Sequence, residues 1–161
     1  MENITTLIEE SINLELNVAE LYLLFNNLFP EDEDFWWELS MEEKNHAALL
    51  RSGKESFLPV DKFPLDLIEN RLQVLVDANS EISSLIKKYE VNPPSRAEAF
   101  RAAFNIENSA GEIHFERFMN KKAELKIDHI FQQLNKDDKD HANRINSYMK
   151  RKSIPLKAEK E

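Results

Sequence analysis

Of the four histidines in the sequence, only His46 and His141 follow an acid by three residues, Glu43 and Asp138. On a helix that spacing puts both side chains on one face, so a carboxylate and an imidazole reach the same small volume. A further acid precedes each pair: Glu15 lies 28 residues before Glu43, and Glu107 lies 31 residues before Asp138. One acid from each of two helices plus an acid-x-x-His pair from each of two others is the donor set of a carboxylate-bridged pair of divalent cations. Mixed oxygen and imidazole donors favour iron or manganese, and zinc would suit the same groups.

Such donors need helices to carry them. Apolar residues recur at spacings of three and four along most of the chain, and prolines punctuate the pattern. The spacing predicts five helical segments. Segment A runs from Thr6, with Glu9 in capping-box register, to Phe29, and Pro30 stops it. Segment B runs from the acidic stretch at Glu31 to Phe57 and forms an antiparallel hairpin with A. Segment C runs from Pro64 to Tyr89, before Pro93 and Pro94. Segment D opens on the capping-box pair Ser95 and Glu98 and lasts to Met119; segment E covers Ala123 to Met149. Lys150 to Glu161 is a charged tail, expected to be mobile.

The core-facing seams of A, B, D and E each carry an acid near mid-helix. Glu15 and Glu43 lie 15 and 13 residues from the A–B turn, and Glu107 and Asp138 lie 15 and 16 residues from a D–E turn at Lys122. At 1.5 Å per residue all four fall in one layer, roughly 20 Å from the turns. Four ionised carboxylates in a dry core cost several kcal/mol each unless cations compensate them. Segment C has an apolar seam without an acid-and-His pair and reads as structural, packed either on its own bundle or on a second subunit.

Composition narrows the remaining classes. The 161 residues include no Cys and two Gly, which excludes thiolate metal sites, cysteine nucleophiles and glycine-rich phosphate loops. A net charge of −9 argues against nucleic acid and anionic lipid as partners. The start MENITTLIEE has neither a basic region nor a long apolar run, and no apolar stretch is long enough to span a bilayer, so a cytoplasmic protein without a leader is expected.

On Glu15 with Tyr22 and Phe25, EEKNHA from Glu42, AAFNIEN from Ala102 and KDHANR from Lys139, the chain resembles the ferritin-like superfamily, and within it the rubrerythrin-type diiron domain. The resemblance covers segments A, B, D and E. It implies an all-α fold, a ferritin-like four-helix bundle over residues 1–150, with segment C (about 64–90) as a long crossover between bundle helices 2 and 3. It implies two iron ions held by Glu15, Glu43, His46, Glu107, Asp138 and His141, with Glu43 and Glu107 bridging. The expected chemistry is oxidoreductase: reduction of peroxide or oxygen, or oxidation of ferrous iron, in a homo-oligomer such as a dimer. The alternative is a non-enzymatic iron-binding or assembly bundle with an impaired site. Three departures from the family pattern stand out: Asp138 stands where Glu is usual, Ala110 where an additional Glu is frequent, and a chain without Cys cannot contain a rubredoxin domain. Electrons are then expected from an external donor protein.

Tyr22 and His114 are candidates to hydrogen-bond the ligands, although each also reads as an ordinary core residue with a satisfied polar tip. His129, Glu20, Glu69, Glu81 and Glu112 fall off the seams and are expected at the surface.

Overall fold

Asn3 begins the first helix by accepting the Thr5 backbone N–H on its side chain at 2.9 Å, three residues ahead of the predicted Thr6 and Glu9 cap. The computed structural model describes residues 3–136 and 140–157. Among the described residues it has seven α-helices and no strand: α1 Ile4–Leu28, α2 Glu33–Phe57, α3 Leu72–Val91, α4 Arg96–Glu107, α5 Ala110–Asn120, α6 Lys126–Leu134 and α7 His141–Arg151. None of these helices is long and apolar enough to cross a membrane.

Pro30 closes α1, and a single 3-10 turn, Pro30–Asp32, leads into α2. Glu9 reaches Lys54 at 3.2 Å, and the Ala19 carbonyl accepts from Ser40 at 2.8 Å. Partners that ascend one helix while descending the other make an antiparallel hairpin, as the short turn requires. On the opposite flank of α1, Asn79 donates to the Glu10 carbonyl at 3.0 Å and Tyr89 lies 5.9 Å from Phe25, so α3 runs parallel to α1. Segment C therefore packs on its own chain. The start of α4 meets the start of α2 through Phe100 and Trp36, 4.5 Å apart, whereas Phe100 meets Tyr148 near the end of α7. Hence α4 is parallel to α2 and antiparallel to α7.

Three predicted helices depart from their expected bounds, and in two of them a local polar contact marks the place. Segment C begins at Leu72 instead of Pro64. A 3-10 turn, Leu65–Leu67, is followed by extended backbone, and the buried Glu69 carboxylate takes the Arg71 backbone N–H at 3.0 Å. Segment D breaks at Asn108 and Ser109: the Asn108 side chain adds a 2.8 Å bond to the Phe104 carbonyl, and Ser109 takes the Ile106 carbonyl through its hydroxyl at 2.6 Å and its backbone N–H at 3.0 Å. The break resets the phase of α5: Glu112, Phe115 and Met119 join Phe118 in facing inward, while Gly111 and His114, which an unbroken helix would turn to the core with Phe118, are only partly buried. Segment E ends its first part at Leu134, which is exposed, and resumes at His141 behind Asp140, whose φ of 63° is left-handed. The predicted tail is partly packed, since α7 extends to Arg151 and Ile154 is buried; residues 158–161 lie outside the described residues.

The core has an aromatic group at each end. Tyr22, Phe25, Trp36 and Phe100 form one, and Phe118 and Phe131 anchor the other, each fully buried and contributing about 1.5–3 kcal/mol by removal from water. Gly53 lets α2 approach the second group closely, because a Cβ there would stand 2.8 Å from the Phe131 ring tip. Between these groups lies a polar layer.

Candidate metal centre

Glu15 on α1 and Glu43 and His46 on α2 point into that layer from the hairpin; Glu107 reaches it from the last residue of α4 and His141 from the first of α7. All five are buried, Glu43 completely. Ligand atoms of Glu15, Glu43 and His46 lie within 4.8 Å of one another, and so do those of Glu43, Glu107 and His141. Glu43 belongs to both groups. The two imidazoles stack at 5.3 Å, and Phe115 of α5 covers His46 at 4.0 Å.

His141 has carboxylates on both sides. Its Nδ1 shares a 2.8 Å hydrogen bond with Glu43 Oε1 and lies 3.6 Å from Glu107, while Nε2 stands 3.1 Å from Glu42. Arg144, one turn further along α7, donates to both oxygens of Glu42 at 2.8 and 2.7 Å. The Glu42 contact is an ion-pair distance without hydrogen-bond geometry, and a carboxylate beside the outer nitrogen while the inner one faces a cluster is where the partner of a metal-ligating imidazole stands. Tyr22 donates to Glu107 Oε1 at 2.5 Å and fixes that carboxylate.

The electrostatics are those of a site crowded with negative groups. Burial first, then the nearby Glu43 charge, push the Glu15 carboxyl well above its ordinary range. Burial and the Glu107 charge push Glu43 up as well. Burial also tends to raise Glu107, yet His141 and the Tyr22 hydroxyl outweigh it and hold that carboxyl low. His141 is raised well above its ordinary value because the attraction of Glu107, Glu42 and Glu43 outweighs its burial.

Several buried polar atoms of the layer nonetheless have no hydrogen-bond partner: Glu15 Oε2, Glu43 Oε2, both ring nitrogens of His46, His141 Nε2 and Glu112 Oε1. Each such atom costs about 1–3 kcal/mol. They include oxygen and imidazole donors from both halves of the cluster, and a hard or borderline divalent cation is the partner that chemistry accepts.

Five of the six residues predicted as ligands thus meet in one layer; Asp138 lies outside the described residues. Because α7 starts at His141, the helix-face argument that paired Asp138 with His141 does not hold. Tyr22 is where a ligand's hydrogen-bond partner would stand. His114 bonds Glu69 at 2.9 Å instead of any member of the cluster. Glu20, Glu81 and His129 are exposed as expected, whereas Glu69 and Glu112 are buried. Glu112 was hidden by the helix break, for an uninterrupted helix places it off the seam. Burial and the charges of Glu15, Glu43 and Glu107 raise its carboxyl well above the ordinary range. Glu42 was also missed, and its signal was the arginine three residues after His141, which needed a buried acid.

No known protein family, curated protein or solved structure matches the chain.

Proposed function

We propose that the protein is a dinuclear metal protein of the ferritin-like, rubrerythrin-type class, acting as an oxidoreductase on peroxide or oxygen or as a ferrous-iron oxidase. The observation that carries this reading is the pair of buried three-residue donor groups sharing Glu43, with unpaired oxygen and nitrogen atoms on the hairpin and an unpaired carboxylate oxygen on α5. The order of helices supports it too: a parallel α2 and α4 joined by a long return through α3 is the connection a ferritin-like four-helix bundle makes.

In this reading Glu15 and His46 hold one cation, Glu107 and His141 hold the other, and Glu43 serves both. Glu112 adds a carboxylate where the family pattern led to Ala110. Two iron ions would supply one-electron redox capacity and Lewis acidity. The chain's own residues do the rest. Glu42 and Arg144 orient His141, Tyr22 orients Glu107, and the aromatic groups on either side exclude water from the layer. Reducing equivalents come from a separate donor protein, and the homo-oligomer, manganese or zinc occupancy and a cytoplasmic location belong to the same proposal.

Anaerobic loading with ferrous iron followed by peroxide tests it. Repeated peroxide consumption with an artificial reductant supports the oxidoreductase reading; iron binding without turnover supports the alternative, a metal-holding bundle, which the interruption ahead of His141 favours. Absence of iron binding contradicts both.

A further inference from the structure

Tyr22, which donates to Glu107 at the cluster, is also the first of a series of touching aromatic rings that leads away from it. Its ring lies 5.6 Å from Trp36. Trp36 in turn is 4.5 Å from Phe100 and 5.4 Å from Phe35, and those two rings stack on Tyr148 at 5.4 and 4.2 Å. Tyr148 is half-buried and reaches the surface, where Arg151 and Lys152 lie beside its ring. Its hydroxyl donates to Asp32 Oδ1 at 2.7 Å, and Arg96 holds the same carboxylate.

The series has oxidisable rings at both ends and in the middle, and the ends share one chemical feature. Each tyrosine donates to a buried carboxylate. A tyrosine gives up an electron readily only if its proton has somewhere to go, and Glu107 and Asp32 provide that place. Trp36 is different: its Nε1 is buried without a partner. An indole that has no acceptor for its proton cannot settle as a neutral radical and passes the oxidation on.

We propose that Tyr22, Trp36 and Tyr148 form a conduit for single electrons between the carboxylate–histidine layer and the surface at Tyr148. In the oxidising direction an external one-electron oxidant removes an electron at Tyr148, and the phenolic proton moves to Asp32. Trp36 refills Tyr148, which recovers its proton, and Tyr22 refills Trp36 while its own proton moves to Glu107. The net change is one electron to the oxidant, a neutral radical on Tyr22 and a proton on Glu107. In the reducing direction a one-electron donor docked at Tyr148 returns the electron along the same rings. The part of this proposal that delivers electrons to metal rests on the reading above; the conduit itself does not.

The test uses the full-length, metal-free protein, so failure of the metal reading leaves it intact. The chain has three tyrosines and two tryptophans, which makes assignment by substitution direct. Trp37 is half exposed, and Trp37→Phe removes it as a competing surface donor. In that background, a flash-generated ruthenium(III) polypyridyl oxidant is followed by transient absorption and electron paramagnetic resonance. The expected result is a radical on Tyr22 that forms at least tenfold more slowly in Trp36→Phe and in Tyr148→Phe, and that Tyr22→Phe replaces by a radical of different spectrum on Tyr148. Tyr148→Phe changes a peripheral hydroxyl, so it remains informative if Trp36→Phe does not fold. A Tyr22 radical formed at the parental rate in the folded variants, or oxidation that never reaches Tyr22, overturns the proposal.

Discussion

Glu43 and His141, 98 residues apart in sequence, share a 2.8 Å hydrogen bond at the centre of the bundle. That contact joins the α1–α2 hairpin to α7 and makes Glu43 common to both donor groups. It also leaves the far side of the His141 ring to the neighbouring Glu42, whose carboxylate lies 3.1 Å from Nε2.

Glu42 should therefore matter for metal and not only for packing. Glu42→Gln keeps the size of the side chain and removes its charge, and partners of this kind typically change metal affinity 10–100-fold. The expected outcome is weaker binding by about tenfold or more for one of the two cations, read by calorimetric titration, with the other little changed. Equal weakening of both would mean that Glu42 acts on the fold as a whole.

Glu112 should behave in two opposite ways. Burial and the charges of Glu15, Glu43 and Glu107 push its carboxyl well above the ordinary range, so the ionised form is disfavoured in the metal-free protein and Glu112→Gln removes an acid that the layer does not accommodate well. Denaturant melts of the metal-free variant should stay within about 1 kcal/mol of the parent or exceed it, since removing a buried acid is often neutral or stabilising. Metal affinity should fall. A large loss of stability without metal would show that Glu112 is ionised and paired.

Gly53→Ala tests the close approach of α2 to Phe131. The added methyl meets a ring tip at 2.8 Å, and such overpacking typically costs about 1–3 kcal/mol. Ala is the better helix former, so a stabilised variant would show that the aromatic group near Phe131 packs more loosely.

Glu69 gives a pH signature away from the metal layer. The Arg71 side chain, its backbone N–H and His114 hold the carboxyl at about 2, below its ordinary 4.5. A depressed carboxyl stabilises the fold fully above its unfolded value and loses that contribution as pH falls from about 4.5 through about 2. Glu69→Gln should cost about 1–3 kcal/mol at pH 6, and the gap between parent and variant should close in that acidic window. A gap that is independent of pH would rule out the ionised carboxylate as its cause.

Much of the layer was legible because helical spacing holds over long uninterrupted stretches. Glu15, Glu43 and His46 lie on helices of 25 residues each, and the seam register carries them to the core intact. The register fails where side chains compete with the backbone. Ser109 captures the Ile106 carbonyl that an unbroken helix would use, and the phase change at the break brings in Glu112 while turning His114 toward Glu69. Glu69 itself was misread for a related reason. It lies in non-helical chain ahead of α3, where no periodicity predicts burial, and its partner Arg71 is only two residues away.

The number of cations bound per chain tests the central claim most directly. After reconstitution with ferrous iron and removal of loosely bound metal, elemental analysis should give about two ions per chain. His46→Ala and His141→Ala should each lower that number while leaving the helical content in place. A chain that binds no iron, manganese or zinc, or variants that bind as the parent does, would contradict the account.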